Sequence, residues 1–279
     1  MYPQRAFQVE GCLERMSGHD QGQFYADDND DAARSLKFAA EAGDPLAMTN
    51  LGNLRTRQLR LDEDDPDGAV GWWKRAAEAG HSSAMFNLGL LRFAQGRLDE
   101  DDPDGAVGWW KRAAGAGHSS AMLKLGNLRQ EQARIGDDDP DGAVSWWRRA
   151  ADAGGTAAMF NLGVLRTEQE RVGEDDPDGA LRWFTAAAHA GDREAMTNLG
   201  ILLQEQGCVG EDGRNGPADW WKRAADAGDP AAMGCLGLLR EQQGRVDPRD
   251  PDGALHWYRQ AADAGDTHAM TRLEALRSQ

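Results

Sequence analysis

The sequence predicts an all-α solenoid built from tandem helix-turn-helix repeats with a 37-residue period. The first observation is internal identity, because residues 61–77 recur letter for letter at residues 98–114. The second is the signature Asp-Pro-Asp-Gly-Ala, which stays in phase along the chain and begins at Asp65, Asp102, Asp139, Asp176 and Asp250. A fixed period between about 20 and 50 residues is typical of solenoids, in which each unit buries its apolar face against its neighbours.

The first segment of each period has the spacing of an amphipathic helix. Ala84, Met85, Leu88 and Leu91 follow the i, i+3/i+4, i+7 pattern of one helix face. Seven of the nine methionines occupy the second of these positions, so we name this segment the Met-Leu helix.

The second segment, which we name the tryptophan helix, contains all ten tryptophans. Its predicted start has Asp65 as the N-cap and Pro66 at the first helical position, and its predicted end is marked by Gly80. A bulky indole can pack against alanines of a neighbouring helix, so the predicted apolar face consists of Ala69, Trp72, Trp73, Ala76 and Ala77.

One glycine recurs inside the Met-Leu helix, at Gly52, Gly89, Gly126, Gly163, Gly200 and Gly237. Glycine inside a helix costs about 1 kcal/mol relative to alanine, so its repetition requires a compensating reason. We expect the tryptophan helix to approach the backbone closely at these positions, where a Cβ atom would be in the way.

The repeat region is predicted to span residues 28–279 as about six to seven repeats. Residues 1–27 lack the pattern and are predicted to form a partly helical N-terminal capping segment. The first unit of the repeat region is atypical as well, because Ser35 and Leu36 stand where later units have the aromatic pair.

Composition excludes several classes of partner. The net charge of −16 repels phosphate backbones, so nucleic acid is not an expected partner. The N-terminal residues lack the apolar core of a signal peptide, and no apolar run approaches membrane-spanning length. Cys12, Cys208 and Cys235 form no close pair, so neither a disulfide framework nor a zinc knuckle is expected. We therefore predict a cytoplasmic protein with no membrane partner.

No catalytic residue, metal site or cofactor is predicted from motifs. Asp67 and Gly68 suggest a calcium loop, but Lys74 stands where the bidentate glutamate must be. His81 and His118 occupy a turn position that holds aspartate or glycine in other copies, so we interpret them as turn residues. An arginine row near the ends of the Met-Leu helices is interpreted as structural and consists of Arg55, Arg92, Arg129, Arg166, Arg240 and Arg277.

From Ala69 to Gly89 an alanine stands three residues before an aromatic pair, followed by Ala-Ala-x-x-Gly and then Ala-x-x-x-Leu-Gly. This pattern resembles the Sel-one-like repeat (SLR) family, relatives of the tetratricopeptide repeats, over roughly residues 28–279. Methionine stands where that family often has a polar residue. The resemblance implies a right-handed superhelical α-solenoid, whose Leu-Gly helices line a concave groove that adaptor proteins use to hold partners.

The related tetratricopeptide repeats often have an asparagine facing the groove, just before the Leu-Gly pair. In this chain that position holds Asn50, Asn87, Asn161 and Asn198, and the row is interrupted by Lys124, Cys235 and Arg272. An amide can both donate to and accept from any peptide unit, so the row predicts sequence-tolerant peptide binding. The alternative is that these asparagines bridge adjacent helices or point into water.

Two further positions on the same face vary between copies while the core positions do not. The pairs are Phe86 with Leu90, Leu123 with Asn127, Phe160 with Val164 and Thr197 with Ile201, and Phe93 is added to them. Exposed apolar residues there would form a partner-binding patch centred on the second to fourth Met-Leu helices. The alternative is ordinary packing between neighbouring repeats.

The function predicted from these features is a scaffold or adaptor that binds a protein or peptide partner. One alternative is a structural protein that assembles into homo-oligomers. Another is an enzyme or metal-binding protein whose site, for example one containing His189, His256 and the acidic loops, is not visible as a motif.

Overall fold

The structure, a computed structural model, describes residues 28–173, 175–207 and 215–277. These residues form fourteen α-helices and, within those ranges, no β-strand. The predicted all-α fold of two-helix repeats is confirmed. The capping segment predicted for residues 1–27 lies outside the described residues, and the domain boundary at residue 28 stays a prediction.

The chain divides into two compact units, Met1–Gly155 and Thr156–Gln279, and within each unit every helix packs against the next. The first unit contains α1 (Asp28–Glu41), α2 (Pro45–Arg57), α3 (Ala69–Glu78), α4 (Ser82–Ala94), α5 (Ala106–Gly115), α6 (Ser119–Glu131) and α7 (Ala143–Asp152). The second contains α8 (Thr156–Glu168), α9 (Ala180–His189), α10 (Arg193–Glu205), α11 (Pro217–Asp226), α12 (Pro230–Gln242), α13 (Ala254–Asp263) and α14 (Thr267–Arg277). We number the repeat copies one to six by the Met-Leu helices that begin them, namely α2, α4, α6, α8, α10 and α12.

The turn before each Met-Leu helix places an N-cap residue where the sequence predicts a turn residue. Asp192 accepts a hydrogen bond from the backbone N–H of Ala195 at 2.8 Å, and Asp229 accepts one from Ala231 at 2.9 Å. His118 takes the same place and accepts from the backbone N–H of Ala121. The interpretation of this histidine position as part of the turn is therefore confirmed.

The tryptophan helix begins later than predicted, and Asp65 is not its N-cap. Helix α3 begins at Ala69 with Gly68 as its N-cap, while Asp65 and Gly68 close a tight turn through a 3.0 Å backbone hydrogen bond. One carboxylate oxygen of Asp65 accepts from the backbone N–H of Asp67 at 3.0 Å, and the other accepts from the guanidinium of Arg60 at 2.7 Å. The carboxylate is thus occupied by the turn, so it is not available to the helix that follows.

The same arginine–aspartate pair recurs in five turns, as Arg60–Asp65, Arg97–Asp102, Arg134–Asp139, Arg171–Asp176 and Arg245–Asp250. The hydrogen bond from the arginine holds the pKa of each of these carboxyl groups below its ordinary value. A carboxylate whose pKa is lower in the folded than in the unfolded chain stabilises the folded protein above the unfolded pKa, about 3.9 for aspartate.

We therefore expect the free energy of unfolding to fall as the pH falls through and below about 4, where these five aspartates bind protons more readily in the unfolded chain. Urea unfolding followed by circular dichroism from neutral pH to about pH 3 measures this loss. The Asp139→Asn variant retains an acceptor for the turn and should lose less stability across that range than the wild type. An unchanged pH dependence in this variant would contradict the assignment.

The second aromatic residue of each pair lies over the glycine of the preceding Met-Leu helix, as predicted. A Cβ atom at Gly163 would be 2.7 Å from Cδ1 of Phe184, and one at Gly237 would be 2.6 Å from Cδ1 of Tyr258. The other four contacts pair Gly52 with Trp73, Gly89 with Trp110, Gly126 with Trp147, and Gly200 with Trp221. Any side chain would collide with the aromatic ring, so the close approach requires glycine at all six positions.

In two copies the residue that follows this glycine supplies the acceptor for the indole N–H. In copies one and three the indoles of Trp73 and Trp147 donate to Asn53 at 3.1 Å and to Asn127 at 3.0 Å. Copy two has leucine there, and the buried Nε1 of Trp110 has no hydrogen-bond partner among the described residues. A buried donor without a partner costs about 1–3 kcal/mol. Copy five avoids this cost in another way, because the indole of Trp221 donates to the backbone oxygen of Thr197 at 3.1 Å although Ile201 follows the glycine.

The arginine row is structural, as predicted, and three of its members are buried. The side chain of Arg129 is 0% exposed; its Nε donates to the backbone oxygen of Asp141 at 3.0 Å, and Nη2 donates to the carboxylate of Asp141 at 2.6 Å. Nη1 donates to Gln132 at 2.9 Å and to Glu100 at 2.6 Å. The bond to the backbone oxygen twelve residues later recurs at Arg55, Arg92, Arg166 and Arg240.

Candidate functional site

A cleft of about 210 Å³ opens on the surface of the second unit, between α8 and α10 and above α9. Its lining consists of Val164, Thr167, Glu168, Phe184, Asn198, Ile201, Leu202 and Glu205. Three of these residues, Val164, Asn198 and Ile201, are among the binding residues predicted from the sequence. The cleft is therefore the place where the structure brings predicted site residues together.

The cleft forms in copy four, which departs from copies one and three in two side chains. Phe184 stands where those copies have an indole, and Val164 stands where they have the asparagine that accepts from it. A phenyl ring is smaller than an indole and has no N–H, so it needs no acceptor and fills less of the space between the helices. Both substitutions leave apolar surface facing the opening.

The floor of the cleft is apolar and fixed, while its edge is accessible. Phe184 and Leu202 are buried in the core of the unit, where Phe160 also packs with its ring centroid 5.8 Å from that of Phe184. Ile201, in contrast, is 36% exposed at the edge. An isoleucine exposed beside an apolar floor favours contact with an apolar group of a partner.

Two polar side chains at the edge retain hydrogen-bonding capacity. The amide nitrogen of Asn198 donates to the backbone oxygen of Glu194 at 3.0 Å, and its side-chain oxygen accepts no bond from any described residue. The hydroxyl of Thr167 donates to the backbone oxygen of Gly163 at 3.0 Å. The amide of Asn198 can therefore still accept from, and donate once to, a bound peptide unit.

The rim carries two carboxylates that are not neutralised within the described part of the chain. Glu168 and Glu205 are the last residues of α8 and α10, both are exposed, and neither forms an ion pair with a described residue. A helix C-terminus carries partial negative charge, so a carboxylate there is unfavourable by a few tenths of a kcal/mol to about 1 kcal/mol. The rim of the cleft is thus negative.

The asparagine row does not form one continuous set of free amides. Asn50 is exposed, whereas the amide nitrogen of Asn87 donates to Asn53 of the preceding Met-Leu helix at 2.8 Å. Asn161 is half-buried and has a partner of its own. Asn198 alone among the four lines the cleft. For Asn87 the alternative interpretation is therefore correct, because this asparagine bridges two Met-Leu helices.

The predicted apolar residues of copy two are engaged in packing. The ring of Phe86 stacks on His118 with centroids 4.6 Å apart, and that of Phe93 lies 5.6 Å from Trp110. Leu90 is buried, so this helix presents no exposed patch at that position. Both contacts lie within copy two, residues 82–118.

The predicted residues of copy three are also placed by packing. Leu123 is half-buried on α6, and Asn127 accepts the indole N–H of Trp147. Their part in binding stays a prediction.

Sequence reasoning missed five residues of the cleft, namely Thr167, Glu168, Phe184, Leu202 and Glu205. Phe184 stands in copy four where copies one, two, three and five have the second tryptophan of the pair. A comparison of copies shows the signal, because tryptophan becomes phenylalanine in the same copy in which asparagine becomes valine. The same coupled change occurs in copy six, where Tyr258 replaces the indole and Leu238 replaces the asparagine, so copies four and six have both lost this pair.

The residues considered for catalysis or metal binding lie elsewhere. His189 packs edge-on against Trp220, and His256 packs edge-on against Trp257. Burial raises the pKa of the Cys235 thiol to about 11. Among the residues that the structure describes, no group of three or more histidine, cysteine, aspartate or glutamate side chains could hold a metal ion. Within the same residues, no helix is both long and apolar enough to span a bilayer.

Two solved structures are similar to this chain over most of its length. One is c5321, a protective antigen of uropathogenic Escherichia coli strains that displays an SLR fold, with a TM-score of 0.62 and 25% identity over 86% of this chain. This chain covers 50% of that structure, so it spans half the length of the antigen. The other is a Sel1 repeat protein from Oxalobacter formigenes, with a TM-score of 0.59 and 26% identity over 84% of this chain and 99% of that one.

No curated protein matches the chain. The sequence model of the Sel1 repeat matches six successive segments, residues 45–81, 82–118, 119–155, 156–192, 193–229 and 231–266. These segments agree with the copies seen in the structure, each of which begins with a Met-Leu helix and contains the tryptophan helix that follows. Matching segments and matching architecture cover most of the described residues, and the chain therefore belongs to the Sel1 repeat family.

Proposed function

We propose that this chain is a non-catalytic scaffold that binds a segment of another protein in the cleft between α8 and α10. Sel1 repeat proteins are generally protein-interaction scaffolds. The observation that carries the proposal for this chain is the cleft itself, which combines an apolar floor with a partly free amide at Asn198. A cytoplasmic location stays a prediction from the sequence.

The chemistry of the lining favours binding. Val164, Phe184, Ile201 and Leu202 supply apolar surface, and the one hydroxyl of the lining, that of Thr167, donates to the backbone oxygen of Gly163 at 3.0 Å. Pockets that enclose whole cofactors or drug-sized molecules have volumes of about 300–1,000 Å³. A cleft of about 210 Å³ is better matched to one side chain of a partner.

Photo-crosslinking tests this proposal directly. A photoreactive amino acid at Ile201 should capture a protein from a lysate of the producing cells, because this residue stands at the exposed edge of the cleft. The control position is Ala227, which is exposed and lies outside the cleft. The captured protein should be specific to the Ile201 probe.

The double variant Val164→Asn with Phe184→Trp supplies a second control. It restores the asparagine–indole pair of copies one and three, so it should fold while filling the cleft. With the same probe at Ile201, we expect this variant to give at least about tenfold less crosslinked product than the wild type, since its apolar floor is covered. Equal capture by wild type and variant, or by the two probe positions, would overturn the proposal.

A further inference from the structure

We infer that the cleft between α8 and α10 accepts one apolar side chain from a peptide segment in which that side chain is flanked by lysine or arginine. This inference deepens the proposed function, on which it rests, by naming the chemistry of the partner. Size, charge and hydrogen bonding each contribute one part of the argument.

The size and lining of the cleft fit a single apolar group. An apolar cavity of about 150 Å³ can hold a molecule the size of benzene, so about 210 Å³ accommodates a leucine, methionine or phenylalanine side chain. Phe184 and Leu202 form a floor that is already buried and packed, so the guest would contact a fixed surface. A preformed floor reduces the entropy lost on binding.

The charge at the rim selects what stands beside this group. Elsewhere in the chain acidic side chains are repeatedly paired with arginine, as in the turn pairs formed by Asp139 and Asp176. Glu168 and Glu205 have no such cation among the described residues, and each stands at the negative end of a helix. A cation brought by the partner would be attracted by both the carboxylates and the helix ends.

The same charges argue against a second copy of this chain as the occupant. The chain carries a net charge of −16, so two copies repel each other at low salt. An acidic segment of any partner would face the same repulsion at Glu168 and Glu205. A basic segment is therefore the kind of partner whose charge complements this rim.

Asn198 gives the bound segment an anchor for its backbone. Its side-chain oxygen accepts no hydrogen bond from a described residue, and one N–H of its amide is also unused. Because an amide pairs with any peptide unit, this contact positions the chain without restricting its side chains. Specificity would then come from the apolar group and the flanking charges.

Synthetic peptides and the full chain provide the test. The probe is a fluorescent peptide of sequence Gly-Ser-Lys-Ser-Leu-Ser-Lys-Ser-Gly, and binding is followed by fluorescence anisotropy. Replacing its leucine by alanine should weaken binding by about tenfold, since the apolar contact is lost. Replacing both lysines by glutamate should also weaken it by about tenfold, because attraction becomes repulsion.

Variants of the protein assign these effects to the cleft. The double variant Glu168→Gln with Glu205→Gln should bind the lysine peptide about threefold to tenfold more weakly. Its binding should also depend less on salt between about 0.01 M and about 0.15 M. The variant Glu131→Gln, which removes an exposed charge from the corresponding last position of α6 outside the cleft, is the matched control and should bind as the wild type does.

Three results would overturn the inference. They are equal binding of the lysine and glutamate peptides, equal binding of the leucine and alanine peptides, or no measurable binding of the lysine peptide to the wild type. The proposed function is judged separately by crosslinking at Ile201. If crosslinking is specific to the Ile201 probe but peptide binding does not depend on the charge of the peptide, the proposed scaffold function stands and the basic partner is rejected.

Discussion

Gly126→Ala is expected to lower the free energy of unfolding by up to about 2 kcal/mol, although alanine is the better helix former. The added Cβ would collide with the indole of Trp147, and forcing extra volume into a packed core costs about 1–3 kcal/mol. The gain of about 1 kcal/mol in helix propensity offsets only part of that cost. Urea unfolding followed by circular dichroism measures the difference from the wild type.

Gly115→Ala is the matched control, because it makes the same chemical change in a helix of the same unit. A Cβ atom at Gly115 would meet no atom within 4 Å apart from its immediate surroundings in the helix. This variant should therefore gain up to about 1 kcal/mol from helix propensity. If both variants changed stability in the same direction, the close approach of Trp147 would not be the reason for glycine at position 126.

Arg129→Leu should destabilise the first unit by about 1–3 kcal/mol, the cost of leaving the partners of a buried polar group unpaired. The guanidinium of Arg129 is fully buried and bonds to Asp141, Gln132 and Glu100. Leucine would leave the backbone oxygen of Asp141 without its donor, and it would leave the carboxylate with less compensating charge. The measurement is again the free energy of unfolding in urea.

Copy five suggests how this loss can be reduced. There Leu203 stands at the position of the arginine row, and Asn215 stands at the position of the aspartate that the arginine bonds. We therefore expect Asp141→Asn, added to Arg129→Leu, to recover part of the lost stability, because no half-buried carboxylate is left beside leucine. If the double variant instead lost the sum of the stability losses of the two single variants, the expected coupling would be contradicted.

The sequence predicted the fold well because its strongest signals come from contacts that repeat. Gly126 recurs in every copy for a local steric reason, so the close approach of an aromatic ring could be inferred without coordinates. The start of the tryptophan helix could not be inferred in the same way. Asp65 and Pro66 also suit a tight turn, and the carboxylate of Asp65 is occupied by Arg60, a residue whose role depends on the folded loop.

The candidate site was only partly predictable, because the amides and apolar groups of this face have two possible uses. Asn87 and Asn198 hold equivalent positions, yet one bridges to Asn53 and the other lines a cleft. The difference arises from the preceding Met-Leu helix, where Val164 stands at the position from which Asn53 accepts the amide of Asn87. Hydrophobic periodicity does not show whether a polar side chain has such a partner on the next helix.

The arginine contacts that cross from one repeat to the next have a consequence for how this protein changes over time. Arg92 bonds to Glu63 and Arg129 bonds to Glu100, in each case 29 residues back along the chain. If residues 64–100, one whole period, were lost, Glu63 would be joined directly to Asp101. Arg129 would then stand 29 residues after Glu63, the separation that Arg92 has now. Gene-level gain or loss of a whole period is therefore structurally conservative, and the identical stretches at 61–77 and 98–114 are suitable templates for such unequal exchange.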